Sequence, residues 1–178
     1  MEATSHGERD VVVPVSIFVS LRRELEREVG ALPAVHALHS AGYAAGSAAA
    51  PGFSEGGAVD TLPEREFWER VKAFFSRRGW GTVSHRPSGE AVGLLTTSDW
   101  VESTEVIGDE GASCSFSTGF LSGLLSELAG GPIAVLEVSC RSRGDEGCTF
   151  AFGSEGAVHE LYGRLLEGQE LERALEGL

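Results

Sequence analysis

The chain carries three cysteines, Cys114, Cys140 and Cys148, and they are not scattered. Cys140 and Cys148 flank the turn-forming stretch Arg141 to Gly147, Glu137 lies just before Cys140, and Cys114 opens an apolar helical run upstream. Two cysteines at the mouth of an antiparallel hairpin converge, because paired strands lie about 5 Å apart. Glu137 and Cys114 then complete a shell of four. Three thiolates and one carboxylate suit zinc, which takes sulfur and oxygen donors tetrahedrally and whose affinity for thiolate offsets the cost of deprotonating it. A thiolate at Cys114 is further favoured by the dipole of the helix that follows. Other readings of the same residues remain open at this level. Buried cysteine often behaves as a small hydrophobe, Cys140 and Cys148 could pair as a hairpin disulfide, and Glu137 could be a solvated strand residue.

The elements that must position these residues are legible in part. Apolar residues at Phe18, Leu21, Leu25 and Val29 follow helical spacing from Ile17, with charged residues on the other face and Gly30 as a stop. A second helical run covers about Leu32 to Ala45. The Gly, Ala and Ser-rich stretch Gly46 to Gly57 behind it is either a flexible connection or a close-packed helix end. Thr61 and Glu64 read as a capping box with Pro63 in the first turn, opening a helix that buries Phe67, Trp68, Val71, Phe74 and Phe75 and stops at Gly79. Trp80 to His85 and Glu90 to Thr97 read as a hairpin around Pro87, Ser88 and Gly89. The run Ser113 to Leu128 is apolar on both sides and so is expected to be buried on both. Ile133 to Val138 and Cys148 to Phe152 form a second hairpin, and helical turns at Val158 to Leu166 and Glu170 to Leu175 close the chain. Strands and helices in this order do not alternate as a parallel sheet requires. The expected class is α+β, with an antiparallel sheet built from two hairpins packed against a helical layer.

Composition bounds the rest. A chain of 178 residues suits one domain, residues 11–178, behind a loose polar tail of residues 1–10. Fourteen Lys and Arg against 27 Asp and Glu leave a net charge of −13, which repels a phosphate backbone and argues against direct nucleic-acid binding. No stretch is apolar for the roughly 18 residues that a membrane span needs, and the residues before Val11 have the wrong charge for a secretory signal. An odd number of cysteines fits a reducing compartment, so the expected location is cytoplasmic.

Three segments together carry a family resemblance. They are Gly119-Phe120-Leu121-Ser122-Gly123-Leu124-Leu125, Gly131-Pro132 through Glu137-Val138-Ser139-Cys140, and Gly144-Asp145-Glu146-Gly147-Cys148-Thr149-Phe150. A Glu and a Cys with two residues between them, then Gly-Asp, then a second Cys closely followed by Phe, resembles the 4-vinyl reductase domain family. The resemblance is specific from Cys114 to Phe152 and weaker from Ile17 onward. It implies a fold shared with subunits of the TRAPP transport complex and with the sensor domain of aromatic-responsive transcriptional activators. It also implies a structural zinc held by Cys114, Glu137, Cys140 and Cys148, a closed shell with no open position for catalysis.

The resemblance further implies a cavity for a small apolar molecule, with Phe120, Leu124 and Val135 as candidate lining and Trp68, Trp100 and His36 as aromatic or polar handles. Plain core packing is the competing reading of Phe120, Leu124 and Trp68, since apolar residues at helical spacing are usually core. No particular residues match the His and Trp that recognise a phenol in the activators, so an aromatic effector is not implied. The expected function is a zinc-stabilised, small-molecule-binding sensor or regulatory module that signals to a partner protein. The alternatives are an interaction scaffold resembling the transport-complex subunits and an accessory factor in bacteriochlorophyll vinyl reduction. An enzyme is disfavoured, because no dinucleotide fingerprint or acid-base pair stands out. The resemblance also suggests a homodimer, with the amphipathic run Phe18 to Val29 as the candidate surface.

Overall fold

The computed structural model describes residues 11–54, 59, 61–89, 91–103 and 114–178. The polar tail expected at residues 1–10 lies outside them. Six helices and a four-stranded antiparallel sheet follow in the order α1 (Ser16–Val29), α2 (Ala31–Ser54), α3 (Glu64–Arg77), β1 (Ser84–Pro87), β2 (Val92–Thr97), α4 (Ser115–Ala129), β3 (Ala134–Ser139), β4 (Cys148–Gly153), α5 (Glu155–Leu166) and α6 (Leu171–Ala174). The sheet order is β1-β2-β4-β3, so two hairpins join through an antiparallel β2–β4 pairing. This is the α+β arrangement expected from the sequence.

Period-two alternation divides the sheet's side chains between two cores. Leu95 and Phe150, with Val135 and Phe152 at the border, face a cluster with Phe53, Phe74, Phe75, Trp100, Phe120 and Leu124. Val92, Leu94 and Ala151 face the other way, onto Leu161, Ala174 and Leu175. The sheet is therefore covered on both faces, by α2–α4 on one and by α5 and α6 on the other.

The Gly-rich stretch after Ala45 resolves to helix. α2 continues through Gly46 and Pro51 to Ser54, because its glycines are where α4 makes contact. A Cβ on Gly42 or Gly46 would lie 2.0 Å from the carbonyl oxygen of Phe116 or Phe120, and one on Gly119 or Gly123 would lie 2.0 or 2.2 Å from that of His39 or Tyr43. Four glycines at i, i+4 in two helices thus let the backbones touch, a separation at which Cα–H groups reach carbonyl oxygens. The approach places α4 in the middle of the molecule, and its residues Gly119–Ser126 are all buried.

Two local expectations are corrected. Pro63, not Thr61, occupies the cap position of α3, with no side-chain cap bond, so the Thr61–Glu64 box stands two residues out of register. β1 begins at Ser84 rather than Trp80, because Trp80 instead turns inward to pack on Phe75, Trp100 and Phe120. Among the described residues, no helix is long and apolar enough to cross a membrane.

Candidate metal centre

Cys114 occupies the N-cap position of α4. Cys148 begins β4 opposite Thr97, and its side chain falls on the same sheet face as Phe150, toward α4. Glu137 and Cys140 are three residues apart, and in a regular strand that odd spacing would send them to opposite faces. A register shift between Glu137 and Ser139, where β3 gains a residue relative to β4, restores the phase and turns both toward α4. The loop beyond Cys140 is organised on the cysteine's own backbone. Its N–H donates to Asp145 Oδ2 at 2.7 Å, its carbonyl accepts from Arg143 at 2.9 Å, and Gly144 takes φ +95° to turn the chain back. The Gly-Asp pair thus has a physical reason.

The four donor atoms of Cys114, Glu137, Cys140 and Cys148 lie within 4.8 Å of one another, and the three cysteines are buried. Cys114 Sγ is 3.8 Å from Cys140 Sγ and 4.0 Å from Cys148 Sγ. A tetrahedral zinc with Zn–S bonds of ~2.3 Å requires sulfur–sulfur edges of about 3.8 Å, whereas a disulfide requires about 2.05 Å. All three cysteines are free, which removes the hairpin-disulfide reading. Glu137 Oε2 accepts the Cys114 N–H at 3.0 Å, while its buried Oε1 has no hydrogen-bond partner among the described residues. A buried carboxylate oxygen without a partner is costly, and this one lies among three thiols where a cation would satisfy it. The residues present therefore fit a metal ion.

The electrostatics agree. Burial pushes the Glu137 carboxyl up to about 8, with the Cys140 thiol adding to the rise. The shared contacts split the thiols. Hydrogen bonds from Cys114 and Cys140 hold Cys148 down to about 3, while the bond with Cys140, the bond with Cys148 and burial push Cys114 up. One thiolate is thus in place before any ion arrives, and a divalent cation would reverse the penalty on the others.

The six residues expected to line a ligand cavity are not arranged as one group. Trp100, Phe120 and Leu124 are buried in the main core, with Val135 packed against it. Trp100 donates its indole N–H to Ser117 Oγ at 2.7 Å. His36 lies exposed on α2. Trp68 alone of the six borders an open groove of about 540 Å³ between α3 and the sheet, where Phe67, His85 and Phe152 are its aromatic neighbours. The Trp68 and His85 rings stack at 3.9 Å and 12°, and Phe152 closes on both. His85 Nδ1 is 4.0 Å from Glu64 Oε1, yet burial outweighs the carboxylate and lowers the imidazole pKa. The sequence reading missed His85, for which only its place in an alternating strand was a signal. It also missed Glu102, whose carboxylate accepts from the Phe116 and Ser117 N–H groups at 3.0 and 2.7 Å.

Comparisons with known proteins agree with this architecture. Residues 99–154 match the vinyl-4-reductase domain family, a span that contains all four candidate ligands. No curated protein sequence matches the chain. The phenol-responsive sensory domain of the transcription activator PoxR, crystallised with phenol, superposes with a TM-score of 0.72 at 16% identity, covering 96% of this chain and 92% of that one. A trafficking protein particle complex subunit 3 from Naegleria fowleri, covalently bound to palmitic acid, gives 0.63 at 14% identity, covering 78% and 91%. A vinyl-4-reductase family protein from Methanocaldococcus jannaschii gives 0.54 at 17% identity, covering 81% and 83%.

Proposed function

We propose that this vinyl-4-reductase-type domain is a zinc-stabilised module that binds a small, largely apolar molecule and passes its occupancy to a partner protein. The observation that carries the zinc is the unpartnered Glu137 Oε1 among three thiols at tetrahedral spacing. When bound, zinc would supply a fixed four-point junction between α4, β3 and the start of β4, with no position left for substrate. Cys114, Glu137, Cys140 and Cys148 would hold it.

The groove beside Trp68 and His85 is the reading's ligand site. Its walls are mostly apolar, with an imidazole and a carboxylate as the polar groups that orient a guest, which is the usual composition of small-molecule sites. Support comes from the two superposed proteins whose structures contain small molecules, a phenol in one and a palmitate in the other. Mass spectrometry of the native protein after expression in cells tests it. A retained small molecule that is lost in Trp68→Ala supports the assignment, and an empty protein that no apolar library compound stabilises would refute it.

The homodimer belongs to the same reading. Ile17, Leu21 and Val29 recur every fourth or eighth residue along α1 and are 43%, 45% and 53% exposed, an apolar stripe that a second copy would cover. The scaffold alternative shares this surface and differs in leaving the groove without a guest.

A further inference from the structure

The N-cap of a helix is normally a Ser, Thr, Asp or Asn whose side chain accepts from the N–H groups two and three residues on. In α4 that position is Cys114, whose sulfur is engaged with Cys140 and Cys148 and makes no cap bond. A ligand and a cap are thus demanded of one residue. A side chain from elsewhere resolves the conflict. Glu102 reaches across from the loop after Trp100, its Oε1 accepting the Phe116 N–H at 3.0 Å and its Oε2 the Ser117 N–H at 2.7 Å. These are the two donors that a local cap would have taken. Oε2 also accepts the Ser117 hydroxyl at 2.5 Å, and that hydroxyl in turn accepts the Trp100 indole N–H at 2.7 Å. The loop is therefore tied to the first turn of α4 at two side chains.

Two amides held by one carboxylate fix the first turn against rotation about the helix axis. That rotation sets the direction of the Cys114 Cα–Cβ bond. Glu137 fixes the preceding donor, the Cys114 N–H itself, at 3.0 Å. We infer that Glu102 is a positioning residue for the metal centre: through the Phe116 and Ser117 amides it aims Cys114 Sγ at the ion that Glu137, Cys140 and Cys148 share. Glu102 touches no ligand atom and acts through the backbone that carries one. The inference rests on the metal-centre reading above.

Cobalt(II) titration of the metal-free full chain, followed by the thiolate-to-cobalt charge-transfer and d–d bands, tests it. The wild type is expected to give a tetrahedral spectrum. In Glu102→Gln one amide oxygen keeps one N–H, but the new NH₂ faces the other, so cobalt affinity should fall roughly 10- to 100-fold, as for other outer partners of metal ligands, and the d–d bands should shift. Ser117→Ala keeps both backbone bonds to Glu102 and should keep wild-type bands with affinity within about threefold. Glu102→Gln with wild-type affinity and bands would overturn the inference, as would Ser117→Ala losing as much as Glu102→Gln, since the loss would then follow general damage to the core. If Glu102→Gln does not fold, Glu102→Asp, too short to span both amides, carries the same comparison. A wild type that takes no cobalt refutes the metal centre itself, a separate and distinguishable failure.

Discussion

Replacing Glu137 by Gln changes one atom at the centre and leaves the shape intact. The amide oxygen can go on accepting the Cys114 N–H, which Oε2 now does at 3.0 Å, and the NH₂ then occupies the place of the unpartnered Oε1. An amide nitrogen offers no lone pair to a metal, so the shell falls from four donors to three. A hundredfold loss of zinc affinity removes about 2.7 kcal/mol of metal-linked stability. At roughly 2–4 °C per kcal/mol for a domain of this size, the loaded protein should melt roughly 5–11 °C lower than wild type. Without metal the sign reverses. Burial holds the Glu137 carboxyl up to about 8, so at higher pH the metal-free wild type carries a buried charge that the variant lacks. Metal-free Glu137→Gln should then be at least as stable as metal-free wild type. Calorimetry with zinc and with a chelator reads both arms. An equal loss in the two forms, or no loss in the loaded one, would refute the reasoning.

Other outcomes follow from the same geometry. Gly46→Ala puts a methyl 2.0 Å from the Phe120 carbonyl oxygen and should cost roughly 3 kcal/mol or more in chemical denaturation. Gly163→Ala, in α5 with open space around it, should instead stabilise by roughly 0.5–1 kcal/mol. Burial raises the carboxyls of Glu102 and Glu137 to about 7 and about 8 from the ordinary 4.5, so between those limits the metal-free fold binds protons that the unfolded chain does not. Its stability should fall as pH rises from about 4.5 to 8, whereas the extra stability conferred by zinc should grow with pH because the ligands must lose protons; urea melts across that range, with and without chelator, check both signs. Light scattering of the wild type should give a dimer mass and of Leu21→Arg a monomer mass, and a monomeric wild type would remove α1 as an interface.

The sequence carried the chemistry of the centre more fully than its geometry. Donor types and spacing marked Cys114, Glu137, Cys140 and Cys148, and the hydrophobic periods of β2, β4, α3 and α4 were clear enough to set the class. The phase that brings Glu137 and Cys140 to one face depends on a one-residue bulge, which no local propensity encodes because it is settled by how β3 pairs with β4. α2 runs through a Gly- and Pro-containing stretch because α4 fills the space that side chains would need, a tertiary reason that composition alone leaves ambiguous. Glu102 reads as one more loop acid until α4 is seen to start on a cysteine. The groove was illegible for a similar reason: Trp68 and His85 come from a helix and a strand, and only the packing of α3 over the first hairpin stacks them.

The central claim is a metal held by three sulfurs and one oxygen. X-ray absorption at the zinc edge of the purified protein, with metal content measured on the same sample, tests it most directly. The account predicts about one zinc per chain, with three Zn–S bonds near ~2.3 Å and one Zn–O bond near ~2.0 Å. A metal-free protein that is fully folded, or a zinc surrounded by nitrogen and water rather than sulfur, would contradict it.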